Sequence, residues 1–140
     1  MYSLTEAAQG LAILLGISTA AHSAPLHDAA EVSRVDAIYI GIGGNSGTES
    51  SVQTILPVAR AFTTFSCRIS QSLSYNVTLT LRVNTSSEPS PCVIPAGSTS
   101  STVSGTWNIA AGSLVAIRIA RSSGNSSGSS TRAAAWGLGN

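Results

Sequence analysis

Two periods divide this chain. Near its start, Leu4, Ala7, Ala8, Leu11, Leu14 and Leu15 recur at the three- and four-residue spacing of one helical face. Ser3 followed by Glu6 is a capping-box pattern, and Gly16 is a suitable stop. The spacing predicts a helix near residues 4–15, with Pro25 marking a break further on. From residue 35 onward the period falls to two, the repeat of a strand with one face buried.

In "VTLTLRV", Val77, Leu79, Leu81 and Val83 point one way and Thr78, Thr80 and Arg82 the other. In "FSCRIS", Phe65, Cys67 and Ile69 share a face, with Ser66 and Arg68 opposite. In "STVSGTWNI", Val103, Trp107 and Ile109 are predicted to face inward. In "SLVAIRIA", Val115, Ile117 and Ile119 face in, while Leu114, Ala116, Arg118 and Ala120 face out. An arginine in this apolar run therefore needs no burial, since its stem can lie over a neighbouring strand. Further strands are predicted at 36–42, 51–56, 92–94 and 131–138. The first is apolar on both faces through Ile38, Tyr39, Ile40 and Ile42, so it should be covered on both sides. The stretches 43–51, 84–91 and 121–131, rich in Gly, Ser, Asn and Pro, read as surface loops. Many short strands with such punctuation indicate an all-β antiparallel jelly-roll β-sandwich. The expected organisation is an arm with a short helix over 1–34 and the sandwich over 35–140.

Composition narrows the function classes. Charged residues make up only 9% of the 140 residues against 43% hydrophobic, too apolar a mix for disorder. Net charge is +1 and no basic cluster occurs, so no nucleic-acid partner is expected. All seven basic residues are arginines, a side chain suited to interfaces, though a GC-rich genome has the same effect. The apolar run of the arm falls short of the roughly 20 residues a membrane span needs. A signal peptide ending in "AHSA" competes, but no Lys or Arg precedes Arg34 and Glu6 sits where positive charge belongs. The arm's apolar residues Leu4, Leu11, Ile13, Leu14, Leu15 and Ile17 thus become a candidate attachment device. A helix this short is marginal alone and needs a partner surface.

No motif carries chemistry. "GIGGNSG" lacks both GxGxxG spacing and a Walker lysine, and reads as a hairpin loop. The six acids form no paired pattern, His22 and His27 are isolated, and no GxSxG elbow occurs. No catalytic, cofactor-binding or metal-ligating residue is expected, nor any enzymatic activity. Cys67 and Cys92 have no metal-site spacing. Two buried thiols are expected, with a disulfide as the alternative. Trp107 is assigned to the core. Trp136 could fill a subunit seam or close the sandwich, and with Ile38, Ile40 and Ile42 it is a candidate subunit contact.

"ESSVQTILPVARAFTTFSCRIS", "NVTLTLRVN", "CVIPAGSTS", "WNIAAGSLVAIRIARSSG" and a terminal "AAAWGL" resemble a family of small jelly-roll domains in phage and bacterial proteins. These are similar to the trimeric globular heads of tumour-necrosis-factor and complement-type proteins. The resemblance covers roughly 37–140 and brings no active-site residues. It implies a homotrimer, and in phages such domains serve as capsid decoration (cement) proteins or tail-fibre tips. A fibre protein normally carries a long shaft, whereas this chain opens on Met1 with a short arm. The expectation is therefore a virion protein of the capsid surface whose partner is the major capsid protein. The alternatives are a tail-fibre tip or glycan-binding module, and a secreted bacterial adhesin.

Overall fold

Strict alternation makes strands because successive side chains leave a pleated backbone on opposite faces. The computed structural model describes residues 25–32, 38–122 and 132–140, and within these eleven strands form two antiparallel sheets. The strands are β1 (Leu26–Val32), β2 (Ile38–Gly41), β3 (Gly44–Ser46), β4 (Thr54–Ile55), β5 (Arg60–Ile69) and β6 (Val77–Val83). They continue with β7 (Ser86–Ser87), β8 (Cys92–Ile94), β9 (Ser100–Ile109), β10 (Leu114–Arg121) and β11 (Arg132–Gly139). A single turn of 3-10 helix, Glu49–Ser51, lies between β3 and β4, and the described residues contain no α-helix. The predicted helix at 4–15 lies outside the described residues.

The first sheet runs β1-β11-β5-β9. The second runs β3-β2-β10-β6-β7, with β4 on β10 and β8 on β6. Their inner faces meet in one core, whose largest fully buried side chains include Trp107, Phe62, Phe65, Leu79, Leu81, Ile117, Ile119 and Leu138. The inward faces predicted for β5, β6 and β9 are those the structure buries, Val83 and Val103 being half-buried at the margin. Phe62 and Phe65, three residues apart, are both buried because the β5–β9 register shifts between Phe62 and Thr64. Trp107 packs edge-on against Phe65, ring centroids 6.1 Å apart, and folds back over Gly105. A Cβ at Gly105 would lie 2.6 Å from that ring, so glycine is required there.

The structure differs from the sequence reading in several places: β3 and β7 lie within the stretches read as loops, and Ile42, expected to be covered, is exposed. Leu26–Val32, assigned to the arm, is a strand that pairs along its whole length with β11, so the sheet takes in residues before 35. The stretch 51–56 holds only the two-residue β4, since the 3-10 turn occupies its start. Ala116, expected outward in solvent, is 1% exposed. It stands opposite Arg82 in the register. Cys67 and Cys92 are joined in a disulfide rather than left as thiols. One cysteine is on β5 and the other on β8, so the bond ties the two sheets together, with Cα atoms 6.3 Å apart. Alternation buries both cysteines but does not reveal that their strands face each other.

Candidate functional site

Two regions of the surface carry features beyond routine packing. The first is on the outer face of the second sheet. Arg82 Nε donates to Glu49 Oε1 at 3.1 Å and Nη2 to Glu49 Oε2 at 2.9 Å, a two-pronged pair. Nη1 donates to the Ser87 hydroxyl at 2.7 Å, and Nη2 also reaches the Thr85 carbonyl. Asn84 and Thr85, with φ of 49° and 68°, turn the chain so that β7 returns beside β6 and presents these acceptors. The hydrogen bonds and charge of Glu49 raise the Arg82 pKa, so the guanidinium stays charged. Only 17% and 12% of these side chains is exposed, and all the partners belong to this chain. The arrangement is a clasp that fixes the 3-10 turn and the β6–β7 hairpin.

The second region is a cleft of about 230 Å³ at the edge where β1 and β11 face β2, β4 and β10. Leu26, Ile42, Ile55, Leu56, Pro57, Val115 and Trp136 give it apolar walls, and Arg60 adds a cation. Its position follows from local chain geometry. "GIGGNSG" forms the tight β2–β3 hairpin that sequence suggested, and it leaves Ile42 in the turn. Gly41 permits the backbone of Val52 to pass so close that any Cβ there would collide with its carbonyl. Ile42 and Ile55 are 50% and 62% exposed, and of the three large apolar side chains exposed among the described residues, two therefore stand on this one rim. Trp136 is 4% exposed, yet its indole Nε1 is buried with no acceptor among the described residues. An unmatched buried donor costs free energy comparable to a lost hydrogen bond.

The candidate contact residues fall apart in space. Ile40 and Trp136 belong to this chain's own core, and Ile38 is half-buried against it. Ile42 is the one of the four with substantial area left to offer. The candidate attachment residues Leu4, Leu11, Ile13, Leu14, Leu15 and Ile17 lie outside the described residues. Arg68 is exposed on β5, and Arg118 is half-buried beside Tyr39 and Thr80. Sequence reasoning missed Ile55, Arg60 and Leu26, which come from three separate segments and share no local pattern. Among the described residues no three His, Cys, Asp or Glu side chains gather as a metal site would need. No described helix is long and apolar enough to cross a membrane.

No protein-family model matches the chain, and no curated protein matches it. Among solved structures, the chain is similar to one in the acidic stable capsid structure of Helicobacter pylori bacteriophage KHP30. The TM-score is 0.47 at 10% identity, with 84% of this chain and 87% of that chain covered.

Proposed function

We propose that this chain is a structural protein of a phage virion, a jelly-roll decoration protein that assembles as a homotrimer on the capsid surface and contacts the major capsid protein. The observation that carries the reading is the nesting of strand pairs. β1 pairs with β11, β2 with β10, β5 with β9 and β6 with β8, so the outermost strands pair first and the innermost last. Rolling one long hairpin into two sheets produces this order, which is the jelly-roll plan used by viral capsid and lectin domains. It supports the resemblance noted in the segments from 49 onward. The disulfide between the sheets suits a protein that works outside a reducing cytosol, virion surfaces included. The exposed Ile42 and Ile55 supply apolar area of the kind subunit contacts use. Apolar residues of the arm provide attachment.

Antibody against the chain should label the heads of particles produced by the genome that encodes it. Label confined to tail tips would replace this reading with receptor or glycan binding. Particles without label would remove the virion assignment altogether. Light scattering at micromolar concentration should give three times 14.1 kDa; a folded monomer would contradict the trimer.

A further inference from the structure

Among the described elements, the two sheets guard their edges unequally. The second sheet ends on β3 and β7, of three and two residues, too short to template another strand. The first ends on β1 and β9. β1 carries Asp28 and Glu31, and charge on an edge strand opposes pairing with a further chain. β9 is ten residues long and has no charged residue and no proline. Among the described strands it pairs with β5 alone. The Thr99 carbonyl accepts the Ile69 N–H at 2.8 Å, so the main-chain groups of Ser101 and Val103, further along the same strand, face β5 as well. Those of Ser100, Thr102 and Ser104 therefore face away from β5, where no described strand pairs with them. The disulfide to β8 closes the sandwich behind β9 without pairing along this edge. The regular run ends at Ser104. Thr64 is opposite Ser104 and Phe62 is opposite Trp107, so one residue of β5 faces two of β9, a bulge that bends the strand.

We propose that residues 100–104 of β9 pair antiparallel with the same residues of a second copy of this chain, about a two-fold axis through Thr102. The run is self-complementary in this register. Thr102 stands opposite Thr102 of the partner subunit, and Ser100 opposite Ser104 of the partner subunit, so every outward N–H of the two runs meets a carbonyl. A foreign peptide would have to be recognised by side chains, yet Ser100, Thr102 and Ser104 offer it neither charge nor apolar bulk, only exposed hydroxyls. A like strand needs neither. Uncharged strands meet without like charges opposed, and threonine opposite threonine is a favourable cross-strand pair. Within the chain, Ser66 Oγ and Thr102 Oγ1 already lie 3.1 Å apart across β5 and β9, and the two-fold axis carries that row of hydroxyls into the next subunit. Arg68, on the neighbouring strand, is opposite Ser100. In this register its row continues to Ser104 and Thr64 of the partner subunit rather than to a second arginine. Such a seam is small beside the roughly 1,200 Å² of a stable interface, so it forms at high local concentration, as between neighbours on one surface. A two-fold contact cannot close a three-fold ring, so it links separate assemblies and stands whether or not the virion reading does.

Three single substitutions in the full chain, Thr102→Cys, Ser100→Cys and Ser104→Cys, test the register at millimolar concentration. All three side chains are exposed, on the face away from the buried Cys67–Cys92 disulfide. Only position 102 faces its own copy, at roughly 5.5 Å between Cα atoms. Positions 100 and 104 each lie roughly 13 Å along the strand from theirs. A short bis-methanethiosulfonate should link Thr102→Cys chains into covalent dimers at least ten-fold faster than either of the other variants. Equal rates at the three positions, or a faster rate at 100 or 104, would overturn the proposal, as would a folded Thr102→Cys protein that gives no dimer. Amide hydrogen exchange in the unsubstituted chain supplies an independent readout. From micromolar to millimolar concentration the Ser100, Thr102 and Ser104 amides should slow at least ten-fold, while those of Ser101 and Val103, which face β5, keep their rates. Protection at 100, 102 and 104 that does not change with concentration would place another segment of the same chain on this edge and overturn the proposal. Fast exchange there at millimolar concentration would overturn it as well.

Discussion

The two long edges of the sandwich are closed in opposite ways. At one edge β5 and β9 lie against β8, and the Cys67–Cys92 disulfide joins the sheets. Trp107, buried there, meets Phe65 edge-on and donates its indole proton to the Pro89 carbonyl. At the other edge β1 meets the β2–β3 hairpin through a side-chain tether, the Asp28 carboxylate accepting from the Gly43 N–H. There the buried Trp136 indole N–H has no acceptor among the described residues, and apolar side chains line an open cleft. Two buried tryptophans on one core thus report two different situations. One edge is closed by a disulfide and a hydrogen-bonded tryptophan, while the other keeps exposed apolar area at Ile42 and Ile55.

Substitutions at the closed edge should have the largest effect on stability. Trp107→Ala should cost about 3–5 kcal/mol, read by chemical denaturation, because it leaves a large cavity and the Gly105 face bare. If the loss is under about 1 kcal/mol, the closed edge is not the stabilising one. Reducing the disulfide should lower stability by about 3.5 kcal/mol on a chain-entropy estimate for a 25-residue separation. The measurement is a pair of melts with and without reductant. Equal melting temperatures would show that packing alone closes this edge.

At the open edge the expected effects are smaller. Asp28→Ala removes the acceptor of both the Ala29 and Gly43 N–H groups and should cost about 1–2 kcal/mol. Hydrogen exchange at the Gly43 amide should speed up, while Trp107 indole exchange stays slow. Ile55→Ser should change the stability of the isolated chain by no more than about 0.5 kcal/mol, since the residue is already exposed. The same variant should weaken whatever contact the rim makes, measured as retention on particles or as the light-scattering mass. A variant that loses stability but keeps its assembly would reverse the contrast between the edges.

Where the chain is cut decides whether the arm alone is removed. Because Leu26–Val32 is part of the first sheet, deletion through residue 30 would strip most of an edge strand as well as the arm. Deletion of residues 1–24 separates the two. It should leave the paired strands intact and abolish attachment to particles if the arm carries it.

Alternation was readable in the sequence wherever a strand has one face in the core, because the pleat is a property of two neighbouring residues and needs no partner. That is why the inward faces of β5, β6 and β9 and the hairpin at "GIGGNSG" could be assigned from the chain alone. The same rule failed at Ala116, which is buried although its position in β10 is outward. Alternation from Phe65 does not reach Phe62, whose inward direction goes with a register shift against β9. The pairing of β1 with β11, the disulfide, the Arg82–Glu49 clasp and the cleft each join segments far apart in sequence. Local periodicity states which way a side chain points from its own strand. Which strand stands opposite is set by how the sheets roll together, and only the tertiary structure decides that.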